Sequence, residues 1–178
     1  AVGVKTSLGD MFKVGLNSLA IIALAPVMAW LWVRMGNANP SIPRKFAIAL
    51  IGAGLGFLVL VMAINATPEG MKVFWVFLGL TYMLHTMSEL CLSPIGLSMV
   101  TKLAPVRLVG LGMGGWFLST GIGNNLSGIF ASVVSGETGM TTTSALSGYT
   151  FGFWVLLGGG VLLFLIAPLI QKLMHGVK

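Results

Sequence analysis

The chain has 178 residues, 56% of them hydrophobic and 8% charged, with a formal net charge of +6 and a mean hydropathy of +0.98. A soluble domain carries roughly 25% charged residues, so the composition excludes a water-soluble globular protein and points to an all-α integral membrane protein. The positive balance does not point to nucleic acid, because the bases sit in short connections between apolar runs, where membrane topology accounts for them.

Glycine is abundant at 25 residues, as in closely packed membrane helices. Cys91 is the single cysteine, so no intrachain disulfide can form. The chain starts without Met, in a short polar lead lacking the regions of a signal peptide, and is expected to be a fragment or a cleavage product.

Five spans are predicted, at about 14–33, 45–64, 73–101, 108–134 and 149–173. The connections carry turn formers: Gly36-Asn37-Ala38-Asn39-Pro40, Ala66-Thr67-Pro68-Glu69-Gly70, Ala104-Pro105 and the Gly/Ser/Thr segment from Ser135 to Gly148. No tandem repeat is visible. Arg34, Arg44, Lys45, Lys102, Arg107, Lys172 and Lys178 fall on one side of such a topology, against Lys5, Lys13 and Lys72 on the other. Bases concentrate on the cytoplasmic side, so the N-terminus is expected outside and the C-terminus in the cytoplasm. An odd number of spans beginning outside again predicts that an N-terminal portion is missing.

Within the first span, Asn17 and Pro26 interrupt an apolar run. Gly52, Gly54 and Gly56 in the second predict close helix contact, as do Gly110, Gly114, Gly115 and Ser119 in the fourth and Gly158-Gly159-Gly160 in the fifth. Gly110 to Gly115 is not a phosphate loop, since no strand precedes it and no Lys-Ser/Thr follows. Phe151, Phe153, Trp154 and Phe164 are expected to face lipid or core.

The third span carries the chemistry. Positions three and four apart share a helix face, so Tyr82, His85, Glu89 and Ser93 form one polar stripe on an apolar helix. Insertion scales put a charged residue at a helix centre at about 2.5–3.5 kcal/mol; such a stripe is expected to face the interior of a bundle. Pro94 removes a backbone hydrogen bond and is expected to bend the helix near Glu89, where a gate could form. On the fourth span Trp116, Thr120, Gly123 and Ser127 share a face, with Asn124 nearby, and Asn17 could add an amide from the first span.

Each residue has an alternative structural role. Glu89 could be an acid held by a base from another helix, His85 an interhelical hydrogen-bond partner, Trp116 core or interfacial belt, and Asn124 and Asn125 partners for neighbouring helices. His85 and Glu89 have a metal-compatible spacing, but two ligands are too few and no HExxH occurs, so no metal is expected. No Ser/His/Asp triad, G-x-S-x-G or paired carboxylate supports an enzyme. A polytopic bundle with a polar internal face around one carboxyl favours a transporter.

The run Ser88-Glu89-Leu90-Cys91-Leu92-Ser93-Pro94-Ile95-Gly96-Leu97-Ser98, followed by Thr101-Lys102-Leu103-Ala104-Pro105, resembles the tenth core helix of proton-coupled oligopeptide transporters, a branch of the major facilitator superfamily. Met113-Gly114-Gly115-Trp116-Phe117-Leu118, with Gly123-Asn124, is similar to the eleventh, and Leu16-Asn17 with Ala25-Pro26 to the eighth. One departure is Ser18, where many members have Pro. The resemblance implies a partial C-terminal bundle, core helices eight to twelve, lacking the N-terminal bundle with its ExxER motif and the bases that receive the peptide carboxylate. It also implies proton-driven symport of di- and tripeptides by alternating access, in a multi-pass cell-membrane protein of the bacterial inner-membrane type. Glu89 is then expected to face the peptide amino terminus, Ser93, Trp116 and Asn17 to line the pocket, and Tyr82, His85, Pro94 and Asn124 to serve in the pocket or the gate. No cofactor is expected beyond protons as coupling ion, and the expected partners are the peptide, the bilayer and the missing bundle. Alternatives are another major-facilitator carrier, for nitrate or a small organic solute, a membrane-embedded enzyme using His85 and Glu89, and a non-transporting scaffold.

Overall fold

A computed structural model describes residues 8–68, 71, 73–135, 139 and 141–174, with no side chain described for 8–14, 16, 17 and 133. Among these residues the chain forms five α-helices and two short 3-10 turns. It divides into two units, residues 1–39 and 40–178.

The first unit holds α1 (Leu8–Arg34), with Pro26 inside the helix. The Arg34 guanidinium stands 4.9 Å from the ring centroid of Trp30, one turn back. A 3-10 turn over Gly36–Ala38 follows, where Gly36 takes φ 47°, a left-handed conformation that favours glycine.

The second unit contains α2 (Ile42–Ala66), α3 (Trp75–Leu103), α4 (Val109–Ser135) and α5 (Thr142–Leu173). Proline sets the breaks. Asn39, Thr67 and Ala104 each precede a proline and each is extended, at ψ 121°, 122° and 135°. The proline ring clashes with an α conformation in the residue before it, so these helices and turns stop there.

The fifth helix starts earlier than the sequence predicts, at Thr142 rather than Tyr149. The Ser144 N–H donates to Thr141 Oγ1 at 3.1 Å, and the Thr141 N–H donates to Ser144 Oγ at 3.0 Å. This reciprocal cap satisfies donors that would otherwise be orphaned and lets the Ser/Thr-rich stretch wind into helix.

In this unit α2 lies between α3 and α5, and small residues make the approach close. A methyl built on Gly52 would lie 2.5 Å from Ser88 Oγ, and one on Gly56 would collide with the His85 ring. Towards α5, a methyl on Gly54 would lie 3.4 Å from Leu156 Cβ, and one on Gly160 3.1 Å from the Ala47 carbonyl oxygen. Ala47, Ala49, Ala63 and Ala167 are buried along these seams. The Thr81 hydroxyl bonds to the carbonyl of Phe77 at 2.9 Å and reaches that of Gly56 at 3.4 Å, tying α3 to α2.

The fourth helix meets α3 through its first turns, where Trp116 sits on Gly96 and Gly112 faces Val100, and meets α5 near its end, where Val134 sits on Gly148. Between these points it is exposed. Its glycines therefore correct the expectation of tight packing: Gly110, Gly114 and Gly115 face open space among the described residues, as do Gly158 and Gly159 of α5.

Two helices, Ile42–Ala66 and Thr142–Leu173, are apolar and long enough to cross a membrane by composition alone. Only 11% of the most apolar window of α5 is buried. A helix that apolar in the core of a soluble protein would be covered; this one presents Phe151, Trp154, Leu162, Leu165 and Leu169 outward, the pattern of a lipid-facing helix. The protein is thus an all-α membrane protein with a helical bundle and no strand among the described residues.

Candidate functional site

The third helix runs without a break from Trp75 to Leu103, through Pro94. It places Tyr82, His85, Glu89 and Ser93 at successive turns, but their environments differ. Tyr82, His85 and Ser93 are half-buried, whereas Glu89 and Pro94 are exposed.

His85 belongs to the seam with α2. Its ring lies against Gly56 and stands 5.3 Å from Phe57, edge to face. Phe57 in turn stacks on Tyr149 of α5 at 5.9 Å. His85 Nε2 is buried without a hydrogen-bond partner among the described residues. That nitrogen is left in a low-dielectric setting, where an unmade hydrogen bond is expensive.

One turn further on, Glu89 is the only acid whose side chain is described. No hydrogen bond or ion pair among the described residues engages it. Ser93, three residues before Gly96, lies on the stretch of α3 that α4 approaches. There the six-membered ring of Trp116 fills the space that a side chain at position 96 would need, and the indole stands 6.2 Å from the Phe46 ring of α2. Trp116 is therefore a half-buried wedge that joins α2, α3 and α4.

The contacts of Val100 with Gly112 and of Gly96 with Trp116 fix an antiparallel register, four residues down α3 for four up α4. Continued along the axis, this brings Asn124 level with Ser88 and Glu89. Thr120, Gly123, Asn124 and Ser127 are all exposed on this middle part of α4. By this register Asn124 lies level with Glu89, whereas Ser93 lies one turn and Trp116 about two turns further along, towards Gly96. Asn17 has no described side chain, so its predicted place in the pocket lies outside the described residues.

Sequence reasoning missed Phe46, Phe57 and Gly96 as the residues that hold Trp116 and His85. Gly96 carried a signal, since it shares a face with Ser93; the two phenylalanines carried none, as aromatic residues on an apolar helix look alike. An exposed carboxylate with an amide at its level, and a hydroxyl and an indole within two turns, can bind a cationic group and accept hydrogen bonds from a polar solute.

A family profile described as "POT family" matches residues 8–146. Among curated proteins, the chain is 36% identical over 166 residues to "Uncharacterized transporter YclF" of Bacillus subtilis, covering 91% of this chain and 32% of that protein. It is 32% identical over 169 residues to "Peptide transporter YePEPT" of Yersinia enterocolitica, covering 92% and 32% respectively. Among solved structures, it superposes on the crystal structure of "peptide transporter POT in complex with sulfate" with TM-score 0.79 and 38% identity, over 89% of this chain and 31% of that one. A mutant of peptide transporter POT in complex with alafosfalin matches with TM-score 0.75 and 38% identity, over 90% and 32%. The chain spans about a third of the length of these relatives. Matched by its family profile over most of its length and sharing the architecture of solved members, the chain belongs to the POT family.

Proposed function

We propose that this chain is part of a transporter that carries di- and tripeptides across a cell membrane together with protons, by alternating access between two helix bundles. The observation that carries the reading is Glu89: an exposed carboxylate midway along α3, engaged by no described residue, with Asn124 of α4 at its level and Ser93 and Trp116 one to two turns along the same pair of helices. The names of similar proteins, a peptide transporter and a dipeptide and tripeptide permease of Aliivibrio fischeri, support the substrate class, as does the peptide-like alafosfalin bound to a solved relative.

A peptide is a zwitterion with a fixed span between its charges. Glu89 receives the amino terminus, while bases on the other bundle receive the carboxylate, and low dielectric strengthens both pairings. Ser93 accepts or donates a hydrogen bond to the peptide backbone, and Trp116 walls the pocket. Tyr82, His85, Pro94 and Asn124 form the pocket edge or the gate. The open, glycine-rich middle of α4 faces the substrate path. A proton and the peptide ammonium compete for the same carboxylate, which links the two binding events. The base-rich ends of the helices support a cytoplasmic C-terminus.

The test is dipeptide uptake into proteoliposomes holding the full-length protein. Glu89→Gln is expected to abolish uptake driven by a pH gradient and to remove the pH dependence of peptide affinity. Affinity and pH dependence equal to wild type would reject the reading.

A further inference from the structure

At the opposite end of the α2–α5 seam from Phe57 and Tyr149, the start of α2 and the end of α5 line an open cleft of about 280 Å³, bordered by Ser41, Arg44, Pro168, Gln171 and Lys172. Two of the five residues, Arg44 and Lys172, are basic. Among the residues with described side chains Glu89 is the only acid, and it lies near the middle of α3, so no described carboxylate neutralises the pair. The Arg44 guanidinium lies 5.8 Å from the ring centroid of Phe164, over the outer face of α5. Ser41 precedes the first turn of α2 without its side chain capping the helix, which leaves its hydroxyl free of that duty.

Below the cavity the surface changes character. Phe164, Leu165, Leu169 and Leu162 of α5 are exposed and apolar, and they continue from the cationic rim towards the middle of the helix. A small anion would use the rim alone. A ligand with an anionic head and acyl chains uses both parts, because Arg44 and Lys172 meet the phosphate while the chains cover the leucines and Phe164. Basic pockets between membrane helices on the cytoplasmic side suit anionic headgroups in this way.

We propose that this cleft is a binding site for an anionic phospholipid of the adjoining leaflet, with the phosphate held between Arg44 and Lys172 and the acyl chains along α5. The site is separate from the Glu89 region and does not depend on the transport reading.

The experiment uses the full-length protein in a neutral detergent, titrated with phosphatidylglycerol, with phosphatidylcholine and with inorganic phosphate, and read by native mass spectrometry and thermal unfolding. Phosphatidylglycerol is expected to bind and raise the unfolding temperature, while the other two leave it unchanged. Removing both charges in Arg44→Gln with Lys172→Gln is expected to weaken phosphatidylglycerol binding roughly 30-fold, and the charge-preserving Arg44→Lys with Lys172→Arg to retain most of it. Should the double glutamine variant fail to fold, each single variant is expected to lose part of the affinity. Equal binding by the glutamine variants, equal binding of phosphatidylcholine, or a full effect from phosphate alone would overturn the proposal.

Discussion

Trp116 and Gly96 show how one contact constrains two helices. A methyl at position 96 would overlap the indole, and Trp116 cannot retreat without leaving Phe46. Overpacking of this kind costs about 1–3 kcal/mol, so Gly96→Ala is expected to lower the unfolding temperature of the full-length protein. Combining it with Trp116→Leu is expected to cost less than the two single changes added together, because the smaller side chain vacates the volume that the methyl fills. Additive losses in a double-mutant cycle would show that the two residues do not share that space. His85 is the contrasting case. Its polar type and its spacing from Glu89 mark it in the sequence, but its neighbours are Gly56 and Phe57 on another helix, and only their arrival makes it a packing residue.

Among the elements, α5 is governed by its start and its seam. The reciprocal cap at Thr141 and Ser144 holds the first turn, and loss of such a cap costs about 1 kcal/mol. Thr141→Ala is therefore expected to raise amide exchange over residues 142–146 while leaving the later turns protected; unchanged exchange would mean that packing alone holds this turn. Along the seam, Gly160 lies against the Ala47 carbonyl and Ile51, whereas Gly158 and Gly159 face open space among the described residues. Gly160→Leu is expected to destabilise the full-length protein strongly in a thermal melt, and Gly159→Leu to leave it near wild type. Three glycines in a row read alike in sequence; the rotation of the helix decides which of them a neighbour touches. The helix ends at Asn39-Pro40, Thr67-Pro68 and Ala104-Pro105 were legible, since the clash that ends a helix before proline is local.

For the whole molecule, exposure has two meanings. Leu162 of α5 and Asn124 of α4 are both exposed, but lipid is expected to cover the first and water to reach the second. In the full-length protein carrying Cys91→Ala, a hydrophilic maleimide is expected to label Asn124→Cys and to leave Leu162→Cys unlabelled, with dipeptide slowing the first reaction. Labelling of Leu162→Cys in the bilayer would place that face of α5 in water and overturn its assignment to lipid.

The sequence by itself determined the membrane class, the five helices, the breaks at proline and the polar positions of α3, because hydropathy, backbone sterics and helical periodicity act over a few residues. It also carried the family, through a local run around Glu89 and Trp116. Only the tertiary structure decided that α2 lies between α3 and α5, that α4 leaves all but Gly112 of its glycines open among the described residues, and that Arg44 and Lys172 share one cleft. Those outcomes depend on which faces of separate helices meet, and that is set by the fit of side chains remote in the chain.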